Sequence, residues 1–313
     1  MAQPARLLLT VLGLSLGAAS THVTQAQSAP IQVTLLGTGT PRPSLDRFGP
    51  SILVEAGGQK FVFDVGRGAT QRLAQLNIPF AAITGVFLTH LHSDHVVGLP
   101  DLWLTGWLVG NRTLPLRLWG PAGTVAMARH LEAAFAFDVQ IRIADDKAPA
   151  SGGQLAATDV GEGTVFDSDG VVVTAFVVDH GPVRPALGYR LDYRGHAVVL
   201  SGDTRPSANL IAHAQGVDLL IHEVAAATPA DIAANPATRR VLAHHTTPLE
   251  AADVFTRTHP ALAVYSHIGL RAGVTAADLL ALTRTGYSGP LMVGADLMRI
   301  TVGDSVTVTS LQP

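Results

Sequence analysis

The stretch Gly85-Val86-Phe87-Leu88-Thr89-His90-Leu91-His92-Ser93-Asp94-His95 runs from a buried-strand pattern straight into three imidazoles and a carboxylate. Such groups are costly to bury at a strand end unless they bind a ligand or are hydrogen-bonded. Imidazole nitrogen and carboxylate oxygen together suit zinc and neighbouring divalent metals. On an extended segment His90 and His92 point to the same side, because side chains alternate with period two. Asp94 shares their parity and His95 has the opposite one, so a local bend here would feed a second metal.

Three more candidate ligands lie at the ends of expected strands further along. His180 follows the apolar run Val171–Val178, Asp203 follows Ala197–Leu200, and His267 follows Ala261–Tyr265. Around them the chain alternates strand-like and helix-like stretches with no linker-like change of composition. Strands are expected at Ile31–Leu36, Ser51–Glu55, Lys60–Val65, Leu116–Trp119, Leu187–Tyr193, Val217–Ile221, Leu291–Val293 and Ser305–Thr309. Helices are expected at Ala69–Leu76, Leu102–Val109, Thr124–Phe135, Ala208–Ala214, Pro248–Thr258 and Ala276–Arg284. Residues 138–178 read as a run of strands. This α/β pattern suits two packed sheets with helices outside, in one domain over residues 27–313.

The 313 residues include 21 Lys and Arg, 24 Asp and Glu, 13 His and no Cys. With 47% hydrophobic and 14% charged residues the chain is no disordered tail. The absence of cysteine excludes disulfides, zinc–thiolate sites and thiol nucleophiles. A net charge of −3 argues against a general nucleic-acid binder. Residues 1–26 read as a secretory signal: Arg6, then an apolar run from Leu7 to Ala19, then a candidate cleavage site at Thr24-Gln25-Ala26, with Ala18-Ala19-Ser20 as its rival upstream. That run is shorter than the ~20 residues a membrane-spanning helix needs. A periplasmic or secreted protein with no membrane anchor after cleavage is the expectation.

The chain resembles the metallo-β-lactamase-fold superfamily of binuclear metallohydrolases, in the branch of short ribonuclease Z and periplasmic arylsulfatase-like proteins. The resemblance rests on Leu35-Leu36-Gly37-Thr38-Gly39-Thr40-Pro41, Phe63-Asp64-Val65-Gly66-Arg67-Gly68, the histidine cluster, Asp203, His222-Glu223, His245-Thr246-Thr247-Pro248 and His267. It implies an αββα sandwich with the site at one edge, and a homodimer. It also implies two divalent ions, zinc being expected and manganese or iron being compatible with the same ligands. One would be held by His90, His92 and His180, the other by Asp94, His95 and His267, with Asp203 bridging. Two metals about 3.5–4 Å apart acidify a bridging water; its hydroxide would be the nucleophile, oriented by Asp94. The resemblance assigns the leaving-group proton to a Glu223–His245 pair. Arg184 and Arg205 stand near His180 and Asp203 and are candidates for an anionic substrate oxygen, or for structural ion pairs. Trp103 and Trp107 share a helix face, suiting core packing better than an aromatic substrate wall.

Three features point away from an RNA substrate. The chain reads as exported, and Gly66-Arg67-Gly68 replaces the Gly-Glu-Gly usual in ribonuclease Z. Residues 127–170 set only Arg129, Arg142 and Lys147 against eight Asp and Glu, where a basic RNA-gripping extension would be expected. The expectation is therefore an exported hydrolase of small sulfate or phosphate esters with no nucleic-acid partner. A β-lactamase or lactonase on the same metals is the alternative. A ribonuclease Z-type endonuclease and a non-catalytic metal-binding protein rank behind it.

Overall fold

The structure is a computed structural model and describes residues 31–311 together with Met1. The expected signal segment therefore lies outside the described residues, apart from Met1. One sheet holds β1 (Ile31–Gly37), β2 (Ser51–Ala56), β3 (Gln59–Phe63), β4 (Gly85–Phe87), β5 (Leu116–Gly120) and β6 (Leu155–Asp159). The other holds β7 (Gly163–Ser168), β8 (Val171–His180), β9 (Val183–Tyr193), β10 (His196–Leu200), β11 (Leu219–Ala226), β12 (Leu262–Leu270) and β13 (Leu291–Val293). The last two strands, β14 (Met298–Val302) and β15 (Val306–Ser310), return to the first sheet. Its order is β15-β14-β1-β2-β3-β4-β5-β6, and the second runs β13-β12-β11-β10-β9-β8-β7. Each sheet is antiparallel at one side and parallel at the other: β3 to β6 run parallel in the first, β10 to β13 in the second.

Helices cover both outer faces. On the first sheet lie α1 (Ala69–Gln75), α2 (Ser93–Val96), α3 (Leu99–Leu108), α4 (Thr124–Ala134) and α5 (Ala136–Ala144). Leu73, Leu102, Trp103 and Ala128 from this group pack on Val62, Val86 and Leu118 of the strands. The second sheet is followed by α6 (Ala208–His213), α7 (Pro229–Ala234), α8 (Pro236–Leu242), α9 (Pro248–Thr258) and α10 (Ala276–Thr283). Its central strands open on apolar runs, Leu219–Ile221 and Leu262–Tyr265, because both faces are covered there. In β12, Leu262 and Val264 face the other sheet, while Ala263 and Tyr265 face the helices. The expected αββα sandwich is what forms. Among the described residues, no helix is long and apolar enough to cross a membrane.

Between the sheets an aromatic group fixes β4, the strand that delivers the histidine cluster. Phe87 stacks on Trp119 at 4.7 Å and on Phe63 at 5.0 Å between ring centres, and the Tyr189 hydroxyl donates to the Leu88 carbonyl at 2.7 Å. Aromatic pairs of this kind add about 0.5–1.5 kcal/mol each beyond the area they bury. Thr247 and Glu250 form a capping box that starts α9 immediately after His245-Thr246, with Pro248 at its first position.

The helices α7 and α8 were not expected, and two further segments depart from the sequence reading. The expected run of strands over 138–178 begins instead with α5. Val139, Ile141 and Ile143 alternate like a strand, but Arg142 pairs with Asp138 and Asp146 one helical turn away on either side, at 3.3 and 3.0 Å. Such i,i+4 pairs support a helix. The second is the last strand pair, β14–β15, of which only β15 was expected; β14 pairs with β1, a partner some 265 residues away in sequence. Trp103 and Trp107 are fully buried, and the Trp107 indole donates to the Pro149 carbonyl at 2.9 Å. They are core residues.

Candidate metal centre

The candidate ligands come together where the parallel strands of both sheets end. β4 leads through Leu88-Thr89 to His90 and His92, and the short α2 supplies the bend that turns Asp94 and His95 inward. His180 is the last residue of β8, and Asp203 follows β10. His267 arrives differently from the sequence expectation, because β12 does not stop at Tyr265. The register with β11 slips between Glu223 and Val224, so that Ser266 and Ile268 are paired and His267 is not. His267 also has a positive φ of 45°. A bulge of this kind re-aims a side chain that regular alternation would send to the other face.

Two sets of donor atoms lie within 4.8 Å of one another: His90, His92, His180 and Asp203 in one, Asp94, His95 and His267 in the other. Asp203 Oδ2 stands between them. It is 3.9 Å from His90 Nε2 and His180 Nε2, 3.4 Å from His95 Nε2 and 3.3 Å from His267 Nε2. Asp94 Oδ2 lies 3.3 Å from His267 Nε2.

Second contacts decide which ring nitrogen faces the centre. A carboxylate and a backbone carbonyl can only accept, so His95 Nδ1 donates to Asp64 Oδ2 (2.8 Å) and His180 Nδ1 donates to the His244 carbonyl (3.0 Å). The Thr89 hydroxyl gives its one proton to Asp64 Oδ2 at 2.8 Å and accepts from His90 Nδ1 at 3.0 Å. In His90 and His180 this leaves Nε2 with the lone pair, turned toward the centre. Burial holds His90 well below the ordinary imidazole value, and His92 and His180 below it, so these rings are neutral near pH 7. Burial also pulls on His95, but Asp203 and Asp64 outweigh it and raise it well above its ordinary value. His95 Nε2 and Asp203 Oδ1 are buried with no hydrogen-bond partner. Imidazole and carboxylate groups converging from seven side chains, two of them with an orphaned buried atom, fit divalent cations, and such a donor set is commonly a zinc site.

Asp64 carried no role in the sequence reading. Its signal was present: a carboxylate directly after a buried strand, in Phe63-Asp64-Val65-Gly66. Its Oδ1 accepts from the Thr89 amide at 2.8 Å, so it locks both the strand end and His95. Asp64→Ala is expected to weaken metal binding about 10–100-fold, as loss of an outer partner of a ligating histidine does; competition with a chromogenic chelator measures it.

Glu223 continues the inward parity of Leu219 and Ile221 in β11, whereas His222 points to the helices, against Phe255. Glu223 Oε1 accepts from the amides of Thr246 (2.9 Å) and Thr204 (3.2 Å), which leaves Oε2 3.2 Å from His245 Nδ1. Burial lowers the His245 pKa, but Glu223 more than restores it, to about 9. A ring nitrogen of His245 lies within 4.8 Å of donor atoms of Asp203 and His267. A histidine that keeps its proton at neutral pH so close to the cluster has the protonation state a proton donor needs.

His92, Asp94, His180, Asp203, His245 and His267 open into a cavity of about 430 Å³. Its wall also carries Arg42, Arg47 and Arg271, none of which sequence reading singled out. Arg184 and Arg205 are not on that wall. Arg205 Nε pairs with Asp179 at 2.8 Å and Arg184 Nε donates to the Gly181 carbonyl at 3.1 Å. No residue of 127–170 lines the cavity either.

A sequence profile described as the β-lactamase superfamily domain matches residues 52–268. Ribonuclease Z of Mycobacterium sp. (strain KMS) is 37% identical over 280 residues, covering 89% of this chain and 98% of the relative. In structure, the metallo-β-lactamase fold protein YhfI from Bacillus subtilis aligns with a TM-score of 0.69 at 19% identity, over 90% of this chain and all of that one. The short form of human tRNase Z aligns with a TM-score of 0.66 at 22% identity, over 87% of this chain and 99% of that one. These findings overturn the expected function. A small sulfate or phosphate ester substrate, its lactam or lactone alternative, and the absence of a nucleic-acid partner all conflict with relatives that are ribonucleases by name. The physical reason is where the charge lies. The acidic balance of 127–170 was counted along the chain, but the cavity wall is built from other segments and is lined by arginine.

Proposed function

The chain belongs to the β-lactamase superfamily, and from that membership we propose that it is a metal-dependent ribonuclease that hydrolyses a phosphodiester bond, as a ribonuclease Z does. The observation that carries this reading is the Glu223–His245 pair beside the metal cluster. A ribose oxygen is a poor leaving group and needs a proton as it departs, whereas an aryloxide leaves without one. His245, held protonated up to about pH 9, supplies that proton.

The other roles follow from the same geometry. His90, His92 and His180 would hold one divalent ion and Asp94, His95 and His267 a second, with Asp203 shared; zinc is the ion proposed. Bound there, the ions would supply Lewis acidity toward the phosphoryl oxygen and lower the pKa of water. Asp94, kept below the usual carboxylate range by His267 and His95 against the effect of burial, stays ionised and orients rather than stores a proton. Arg42 and Arg271 on the cavity wall, with Arg47 tied to Thr38 and Gly294 beside them, would offer guanidinium charge to a phosphate.

An end-labelled RNA with a stem and a single-stranded 3′ extension tests the reading. With zinc, cleavage at one position is expected; chelation stops it and zinc restores it. Turnover of aryl sulfates or aryl phosphodiesters with no RNA cleavage under any divalent ion would sink it. Residues 1–26 are proposed as an export signal, tested by the N-terminal sequence of the protein recovered from an exporting bacterial host; an intact Met1 start would refute it.

A further inference from the structure

The arginines at the metal cavity continue past its rim. Ser44 and Arg47 line that cavity and also a second groove of about 450 Å³, whose walls include Leu45, Phe48, Arg67 and Gln71. Arg67 is exposed, and among the described residues no carboxylate lies within 4.0 Å of its guanidinium. Its backbone is held firmly all the same. The Gly49 amide donates to the Arg67 carbonyl at 3.0 Å, and the Gly66 amide to the Pro50 carbonyl at 3.0 Å. The next residue, Gly68, has φ of 87°, and a Cβ there would strike the Phe48 ring. Phe48 is fixed in turn by the Arg72 guanidinium 4.1 Å above its ring and by its own amide donating to Asp296 at 2.8 Å. A free cation is thus launched from a rigid turn into a groove that shares the walls Ser44 and Arg47 with the metal cavity. At the lip of the same groove Leu45 is 89% exposed. Asp46, the acid of this loop, is not among the groove's walls.

An unpaired guanidinium beside an exposed apolar side chain suits one nucleotide: the cation takes the phosphate and the apolar surface takes the face of an unstacked base. We propose that this groove is a second substrate subsite, in which Arg67 binds the phosphate next to the cleaved bond and Leu45 packs on the adjoining base of a single-stranded RNA segment. The proposal rests on the reading of the substrate as RNA. It also reverses the sense of Gly66-Arg67-Gly68, which in sequence alone looked like a departure from RNA chemistry. In the fold, arginine there adds a phosphate-binding charge beside the arginine-lined cavity.

Two RNAs with the same cleaved bond test the proposal, one ending at the cavity and one extended by two unpaired nucleotides, on the 5′ side and the 3′ side in turn. Arg67→Ala is expected to lower the ratio of kcat/KM for extended over short RNA about tenfold on one of the two sides, the scale of one lost charge-assisted hydrogen bond. It should also reduce the salt dependence of binding by about one phosphate contact. Arg67→Lys recovers most of the ratio, Arg67→Glu deepens the loss, and Leu45→Ala causes a smaller one. An unchanged ratio, or an equal loss on short and extended RNA, overturns the subsite. Fluorescence anisotropy of labelled RNA separates this result from the catalytic reading. Arg67-dependent binding without cleavage leaves the subsite standing and refutes the ribonuclease, while no RNA binding by the unaltered protein refutes both.

Discussion

Asp203→Ala is expected to remove both the metals and the activity. The Oδ2 of Asp203 lies within 4 Å of four histidine Nε2 atoms drawn from both ligand sets, so its loss affects both positions at once. The loss in metal affinity should exceed the about 10–100-fold typical of an outer partner such as Asp64. It also leaves His95 Nε2 facing a buried gap, since that atom has no hydrogen-bond partner of its own. The measurement is metal content after dialysis, together with melting temperature with and without zinc. A ligand that binds only the folded state raises the melting point, so the unaltered protein should gain stability on adding zinc and Asp203→Ala should not. Retention of metal and of hydrolysis by Asp203→Ala would show that the centre is assigned to the wrong residues.

Glu223→Gln is expected to lower kcat about 100- to 10,000-fold, the range of a lost general acid, while metal content stays the same. The pH profile carries the sharper signature. His245 donates only when protonated, and its pKa of about 9 means that the rate falls as pH rises through that value. Glu223 is the partner that raises it. Without the carboxylate the largest raising influence is gone, and burial and His95 pull the value down against Asp203 alone, so the basic limb moves toward acid. The same variant should turn over a p-nitrophenyl phosphodiester with a much smaller loss, because that leaving group departs unprotonated. An equal loss on both substrates, with no movement of the basic limb, would assign Glu223 to holding Thr204 and Thr246 in place and nothing more.

Much of this centre is legible along the chain. His90, His92, Asp94 and His95 fall within a single turn of backbone after one strand, so their meeting is a local matter that spacing can express. His180 and Asp203 stand at strand ends, which periodicity locates to within a residue or two. His267 was found as a residue but for a reason that the fold replaces, a bulge inside β12 instead of the end of the strand. The pairing of Glu223 with His245 came from resemblance; the parity of β11 supplies its physical basis, sending Glu223 inward and His222 to the helices. The helix α5 was misread because three alternating β-branched residues outweighed an ion-pair spacing that the sequence also contained.

By itself, then, the sequence determined the ligand types, their order and the layered fold, since each depends on short-range spacing and on apolar periodicity. What only the tertiary structure decided is what surrounds those ligands. Asp64 reaches His95 across 31 residues, and Arg47 reaches Gly294 across 247. Charge summed over a segment gave the wrong sign for the site, because a cavity wall is assembled from loops distant in sequence. Electrostatic attraction depends on distance in space, and no acidic residue of 127–170 lines the metal cavity.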